Sequence, residues 1–253
     1  MPLLPDPIHM VMARQLSYLI SQSRNIVRPW WLRQSYHNTP DLLHTQLQSL
    51  IDQIEQENET LVPTERFDQI VLAYGLCSNS VIGLCSRSLP VVLPRCDDCI
   101  ALLLGSAERY QHFFQKLPGT YWYTTGRIEQ GNPPCRARYE RDRAQYVELY
   151  GEENAEYLME HQNHWLHNYQ NCGYITCPLG DLPEHIEFAK QVSRDFGWTY
   201  QEIPGDLAYL SRLINGPWED DQFLVCPPHS KIEADYTAQK FHSIPWNPET
   251  TGA

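Results

Sequence analysis

The sequence predicts an α/β protein: a mainly parallel sheet with helices on both faces, arranged as two Rossmann-like halves. Two observations carry this. Short apolar runs closed by turn residues alternate with stretches of helical periodicity along all 253 residues, which is the rhythm of strand, crossover helix and parallel strand. The length suffices to bury a sizeable core, and 42% hydrophobic with 20% charged residues is an ordinary globular balance. A division near residue 130 gives an N-terminal half over 1–130 and a helical connection with a C-terminal half over 131–253.

Each element has its own warrant. "PDLLHTQLQSLIDQIEQE" from Pro40 sets Leu43, Leu47, Leu50, Ile51 and Ile54 on one helical face. "FDQIVLAYGLC" reads as a buried strand and "PVVLPR" as a second, with Cys85 packed inside a helix between them. "DDCIALLLGSAERYQHFFQKL" is a helix whose acidic start suits its N-terminal dipole. "GTYWYTTG" is a third strand. The polar, aromatic segment "RARYERDRAQYVELYGEENAEYLMEHQNHWLHNYQN" makes one long helix or two shorter ones. "CGYITCPLG", the amphipathic helix "PEHIEFAKQVSRDFGW" closed by Gly197, "TYQEIPGD", the helix "LAYLSRLINGPW" and the strand and loop "FLVCPPH" complete the pattern. Asp206 reads as the N-cap of that last helix. The tail after Lys231 is weakly patterned.

Charge excludes some partners. With a net charge of −12 and no run of Lys or Arg, the surface repels phosphate backbones, so neither nucleic acid nor an anionic membrane is expected as a partner. No apolar segment reaches the roughly 18 residues needed to span a bilayer. The N-terminal stretch lacks the basic start and apolar core of a signal peptide, so a cytoplasmic location is expected. Thiols stay reduced there, and eight cysteines then point to metal binding, catalysis or plain burial.

In parallel α/β folds, ligands sit beyond the carboxyl ends of the strands. Reading along those predicted ends gives Cys77, then Arg95 to Cys99, Thr125, Cys177, Asp206, and Cys226 with His229. Cys77 stands where a strand feeds a serine-rich turn, and Cys99 lies in the first turn of a helix, a position that lowers a thiol pKa. Cys96 and Cys99 are three apart, a spacing that lets two thiols reach one metal. Against this stands burial, since free cysteine often serves as a small hydrophobe. Cys135 reads as an exposed loop residue, and Cys172 and Cys177 flank a strand. His161, His164 and His167 share one helical face and read as a solvated polar surface; His229, after a strand end, is the better ligand. Ser78, Asn79 and Ser80 sit at an apparent helix start whose amides could hold an anion. No GxGxxG, P-loop, GxSxG or EF-hand loop is present.

The blocks "YGLCSNSVIGL", "LPRCDDCIALLLGSAERY", "PGTYWYTTGRIE", "YGEENAEYLME", "GWTYQEIPGDLAYLSRLINGPW" and "FLVCPPHSKI" resemble, in this order, the bacterial and archaeal family called domain of unknown function 1638. The resemblance spans about Met12 to Ile232. Members carry a cysteine at the end of the first strand before an "REL"-like helix. Setting Arg14-Gln15-Leu16 against that helix puts His9 in the cysteine's place. They also often show His-Asp-Cys where this chain has Asp97-Asp98-Cys99. The resemblance therefore implies a three-point site of His9, Cys77 and Cys99, each at a different strand end. Three protein ligands leave a position open for water or a small-molecule ligand, which is the catalytic rather than the structural arrangement.

The expectation is thus a metal-binding protein holding zinc or iron, with an iron–sulfur cluster as the redox variant. Cys77, Cys99 and His9 are its ligands and Cys96, Cys177 and His229 its reserves. Tyr74, Arg95 and Asp98 orient them. Two rivals stand beside it: a non-catalytic accessory protein that binds a small molecule or a partner at the same cleft, and a metal-free thiol catalyst using Cys99.

Overall fold

A computed structural model describes residues 10–247 apart from 33–35, 37–38 and 238, so the expectation placed on His9 lies outside the described residues. The chain forms two units: Met1–Ala107 with Leu207–Ala253, and the intervening Glu108–Asp206.

The first unit opens with α1 (Ala13–Ser21) and α2 (Pro40–Thr60). In α2 the predicted stripe is inside: Leu43, Leu47, Ile51 and Ile54 are buried, and Leu50 packs at their edge. Burying each such side chain contributes about 2 kcal/mol. Then follow β1 (Ile70–Val71), β2 (Cys85–Ser86), β3 (Val91–Pro94) and α3 (Cys99–Leu104). Cys85 stands in a strand rather than a helix, because the segment before it is a run of turns and its residues pair with the C-terminal tail. The predicted helix from Asp97 breaks at Gly105, whose φ of 93° ends α3.

The second unit holds α4 (Ala107–Lys116, its first residue shared with the boundary), β4 (Thr120–Tyr123), α5 (Thr125–Gln130), α6 (Arg136–Tyr150), α7 (Glu152–Asn163), β5 (Asn171–Thr176), α8 (Pro183–Phe196) and β6 (Thr199–Pro204). The polar segment is two helices, divided at Gly151. Strands β4, β5 and β6 form one wholly parallel sheet in that order, packed by α8. Its core is Tyr121, Tyr123, Cys172, Tyr174, Val192 and Trp198. Tyr121 stacks on Trp198 at 6.0 Å.

The chain then returns to the first unit with α9 (Ala208–Asn215), β7 (Phe223–Cys226), β8 (Ser230–Ala234) and β9 (Phe241–Pro245). The cap position of α9 is Leu207, without a side-chain cap, so Asp206 stands one residue outside the place expected for it. Central β3, buried at all four residues, pairs parallel with β1 on one side and antiparallel with β7 on the other. Strands β2, β8 and β9 make a second, antiparallel sheet from the tail that carried little pattern. Half of the strand pairings among the described residues are therefore antiparallel. The fold is a mixed α/β one with three small sheets, and its units divide at 107 and 206 rather than near 130 because β7 comes back to complete the sheet that β1 and β3 begin.

One buried carboxylate shapes the first unit. Glu55 on α2 is buried, which by itself raises its pKa. Yet it accepts from the hydroxyls of Ser86 and Ser88 and the backbone amides of Arg87, Ser88 and Leu89. The donors outweigh desolvation, and the carboxyl is held below its usual range.

Candidate functional site

The connection after β1 and the connection after β3 are zipped together. Beyond the Leu72–Val92 bond, Leu76 donates its amide to the Cys96 carbonyl and Cys77 to that of Asp97, both at 2.9 Å. Gly75 makes this approach possible. A Cβ there would lie 2.7 Å from the Cys96 oxygen and 2.8 Å from the Asp98 nitrogen, closer than a side-chain carbon and backbone approach one another. Glycine is required here for space, not for an unusual φ.

Immediately after Gly75 the backbone turns left-handed. Cys77, Ser78 and Asn79 have φ of 45°, 60° and 67°, and the turn is closed by Ser80, whose hydroxyl donates to the Cys77 carbonyl at 2.6 Å. For L-residues that region costs about 1–2 kcal/mol each, least for asparagine. The expected helix start, with its row of amides for an anion, is therefore absent: the chain reverses in turns before reaching β2.

Three thiols gather around this junction. Cys77, Cys96 and Cys99 are 3%, 0% and 8% exposed. Asp98 caps α3, its carboxylate accepting from the Ile100 amide at 2.9 Å. Burial, followed by the proximity of Cys99 and Asp98, pushes the Cys77 thiol well up; burial, then Cys77 and Asp98, does the same to Cys96. The buried Tyr74 hydroxyl is raised by desolvation and by Cys77 and Cys99. Tyr74, Cys77, Cys96 and Cys99 are thus buried near one another, with the half-buried Asp98 beside them.

Other predicted members are elsewhere. Arg95 is turned into the frame: its guanidinium donates to the carbonyls of Asp220 (2.6 Å), Phe223 (3.3 Å), Gln239 (2.7 Å) and Phe241, binding the C-terminal strands to β3. His229 is an exposed turn residue with φ 56°, its amide donating to the Ser86 carbonyl. Asp97 faces out and pairs with Lys240 at 2.7 Å. His161, His164 and His167 are exposed, as a solvated face requires. Cys177 belongs to the second unit, where its amide donates to Asp181 at 2.8 Å. Among the described residues, no three His, Cys, Asp or Glu side chains are grouped closely enough to hold a metal ion.

Sequence reasoning passed over two residues. Gly75 has no signal but its place in "AYGLC", since its neighbours are tertiary. Asp181 follows the predicted strand end at Cys177. Its carboxylate accepts from Thr125 (3.0 Å) and Tyr174 (2.9 Å), joining the carboxyl ends of β4 and β5.

Residues 31–214 match the family described as "Protein of unknown function (DUF1638)". This chain belongs to that family. The match runs through β1, β3, the thiol patch and all of the second unit. No curated protein matches the chain. No solved structure matches it either. No helix among the described residues is long and apolar enough to cross a membrane.

Proposed function

We propose that this protein binds a soft metal ion, zinc or iron, through Cys77 and Cys99, with Cys96 beside them and His9 as the third ligand. The observation that carries the reading is the left-handed run at Cys77–Asn79 beside Gly75, which spends conformational energy at the residue that presents a thiol. Strain of this kind collects where a side chain is held for a purpose. The electrostatics agree in direction. Buried among acidic neighbours, Cys77 and Cys96 are protonated at neutral pH, and a cation is what would favour their thiolates. Binding should then release protons and tighten as pH rises.

With two or three protein ligands the metal would keep an open position for a small-molecule ligand, in the reducing setting of a cytoplasm. Thiolate softness favours zinc, iron or an iron–sulfur cluster over magnesium. The second unit, with its parallel β4–β5–β6 sheet and packed α8, supports the finer reading of a Rossmann-like half.

One observation favours a second reading. Because no metal-ligating trio is grouped among the described residues, the thiols could be apolar packing around a non-catalytic binding cleft. The metal-free thiol catalyst is weaker, because Cys99, the thiol it would use, is itself buried away from reactants.

Elemental analysis of protein purified without oxygen and without a metal-binding tag separates these readings. Close to one zinc or iron per chain, lost in both Cys77→Ser and Cys99→Ser with folding intact, is the expected result. Full metal retention in the double variant would overturn the ligand assignment. Metal-free protein with every thiol titratable would favour the binder.

A further inference from the structure

Of the three histidines spaced at 161, 164 and 167, the fold brings two together and holds the third apart. His161 lies in α7 and stacks on Tyr157, with ring centroids 6.3 Å apart and planes at 9°. After Asn163 the helix tightens into a 3₁₀ turn, His164–Asn168. Three residues advance about 300° in an α-helix but a full turn in a 3₁₀ helix, so side chains at i and i+3 eclipse there. His164 and His167 therefore stand one above the other. Their ring centroids are 5.5 Å apart, with planes at 66°.

The residues between them anchor the turn. Leu166 is buried in the core of the second unit, and Trp165 packs on Tyr121 and Tyr169 at 5.9 and 5.7 Å. Both histidines are exposed. A backbone held in this way presents two rings to solvent without the cost of ordering a loop. The surroundings suit a cation. The pair lies in the last turn of the helical run 152–168, where carbonyls without intrahelical partners form the negative end of the dipole. The arginines of α6, which packs on α7, are already engaged: Arg136 with Glu140, Arg138 and Arg141 with Asp142, and Arg143 with Glu152 and Glu156.

We propose that His164 and His167 together bind a divalent transition-metal ion of borderline softness: copper(II), nickel(II) or zinc(II). An imidazole nitrogen binds such an ion at about 2.1 Å, which puts each ring centroid about 3.2 Å from it. At a tetrahedral angle the two centroids then lie about 5.2 Å apart. The observed 5.5 Å differs by about 0.3 Å, within reach of small rotations of two exposed side chains. Two protein ligands leave the other positions to water or an anionic small molecule, so the ion is exchangeable rather than structural. A two-ligand site is consistent with there being no grouped trio of ligands among the described residues. It is also separate from Cys77 and Cys99, which belong to the first unit.

Calorimetric titration of Ni(II) into the full, untagged chain tests this. His164→Gln and His167→Gln should each weaken binding at this site at least about tenfold, because a single remaining imidazole loses the advantage of chelation. His161→Gln should bind as wild type does. Cys77→Ser/Cys99→Ser should keep the histidine-dependent site. All three histidines are exposed, and circular dichroism checks that each variant is folded. A wild-type chain that binds no Ni(II), or wild-type affinity in both His164→Gln and His167→Gln, overturns the proposal. Loss of the site in the cysteine variant, which would put the ion on the thiols, overturns it too. So does a loss in His161→Gln as large as in the other two.

Discussion

Replacing Gly75 by alanine adds one methyl group where the two thiol-bearing connections meet. The new Cβ would lie 2.7 Å from the Cys96 carbonyl oxygen, 2.8 Å from the Asp98 nitrogen and 3.0 Å from the Asp97 carbonyl carbon. All three are backbone atoms, so no side chain can swing aside. The connections must separate by about half an ångström or more, an overpacking strain of about 1–3 kcal/mol. Separation also stretches the Leu76–Cys96 and Cys77–Asp97 hydrogen bonds, worth about 1 kcal/mol each. Reduced unfolded-state entropy returns about 0.4–1 kcal/mol. The balance is a loss of about 2–4 kcal/mol. Urea unfolding should show a lower midpoint at unchanged slope, and the Cys77 thiol of the folded variant should react faster with an alkylating reagent. A Gly75→Ala protein within about 0.5 kcal/mol of wild type, the ordinary surface range, would refute the close-approach argument.

Three further outcomes are expected. Glu55→Gln should destabilise by about 1–3 kcal/mol, since the Ser86–Leu89 donors lose their charged acceptor. The folded-state pKa of Glu55 is depressed, so its contribution is complete above its unfolded value of about 4.3 and disappears as pH falls through the lower folded value. The gap between wild type and variant in thermal unfolding should therefore close in acid; a gap that widens there would count against this account. Asp98→Asn keeps the α3 cap but removes the negative charge that helps raise Cys77 and Cys96, so stability should hold while alkylation at fixed pH accelerates severalfold. Ser78→Gly relieves a φ of 60° and should leave stability equal or higher by up to about 1 kcal/mol, whereas Ser78→Val should lose more than that, as denaturant midpoints will show.

Legibility followed the range of the interactions involved. The buried face of α2 was readable because its residues repeat with the helix, and β4, β5 and β6 because each apolar run ends in its own turn chemistry. That the connections carrying Cys77 and Cys96 lie side by side follows from the neighbouring strands β1 and β3 that lead into them. Strand direction was not, since a fully buried strand such as β3 shows the same apolar run whether its neighbour is parallel or antiparallel. Arg95 looked like a site residue by position, but four carbonyls from residues 220–241 claim its guanidinium, and nothing near Arg95 in sequence announces them. Cys85 sits in a two-residue strand, too short to carry any period.

The pairing of β3 with β7 also sets the order of events at the ribosome. Pro94 opposes Phe223, so the edge of β3 stays open while about 130 further residues are made, roughly ten seconds at ordinary elongation rates. During that interval Arg95 lacks the carbonyls that hold it, and the neighbouring cysteines sit on an unfinished sheet. The second unit, continuous in sequence, can complete its own parallel ladder first. A nascent chain of this protein is therefore most vulnerable, to oxidation and to mispairing of its open strand edge, in the half that is translated first.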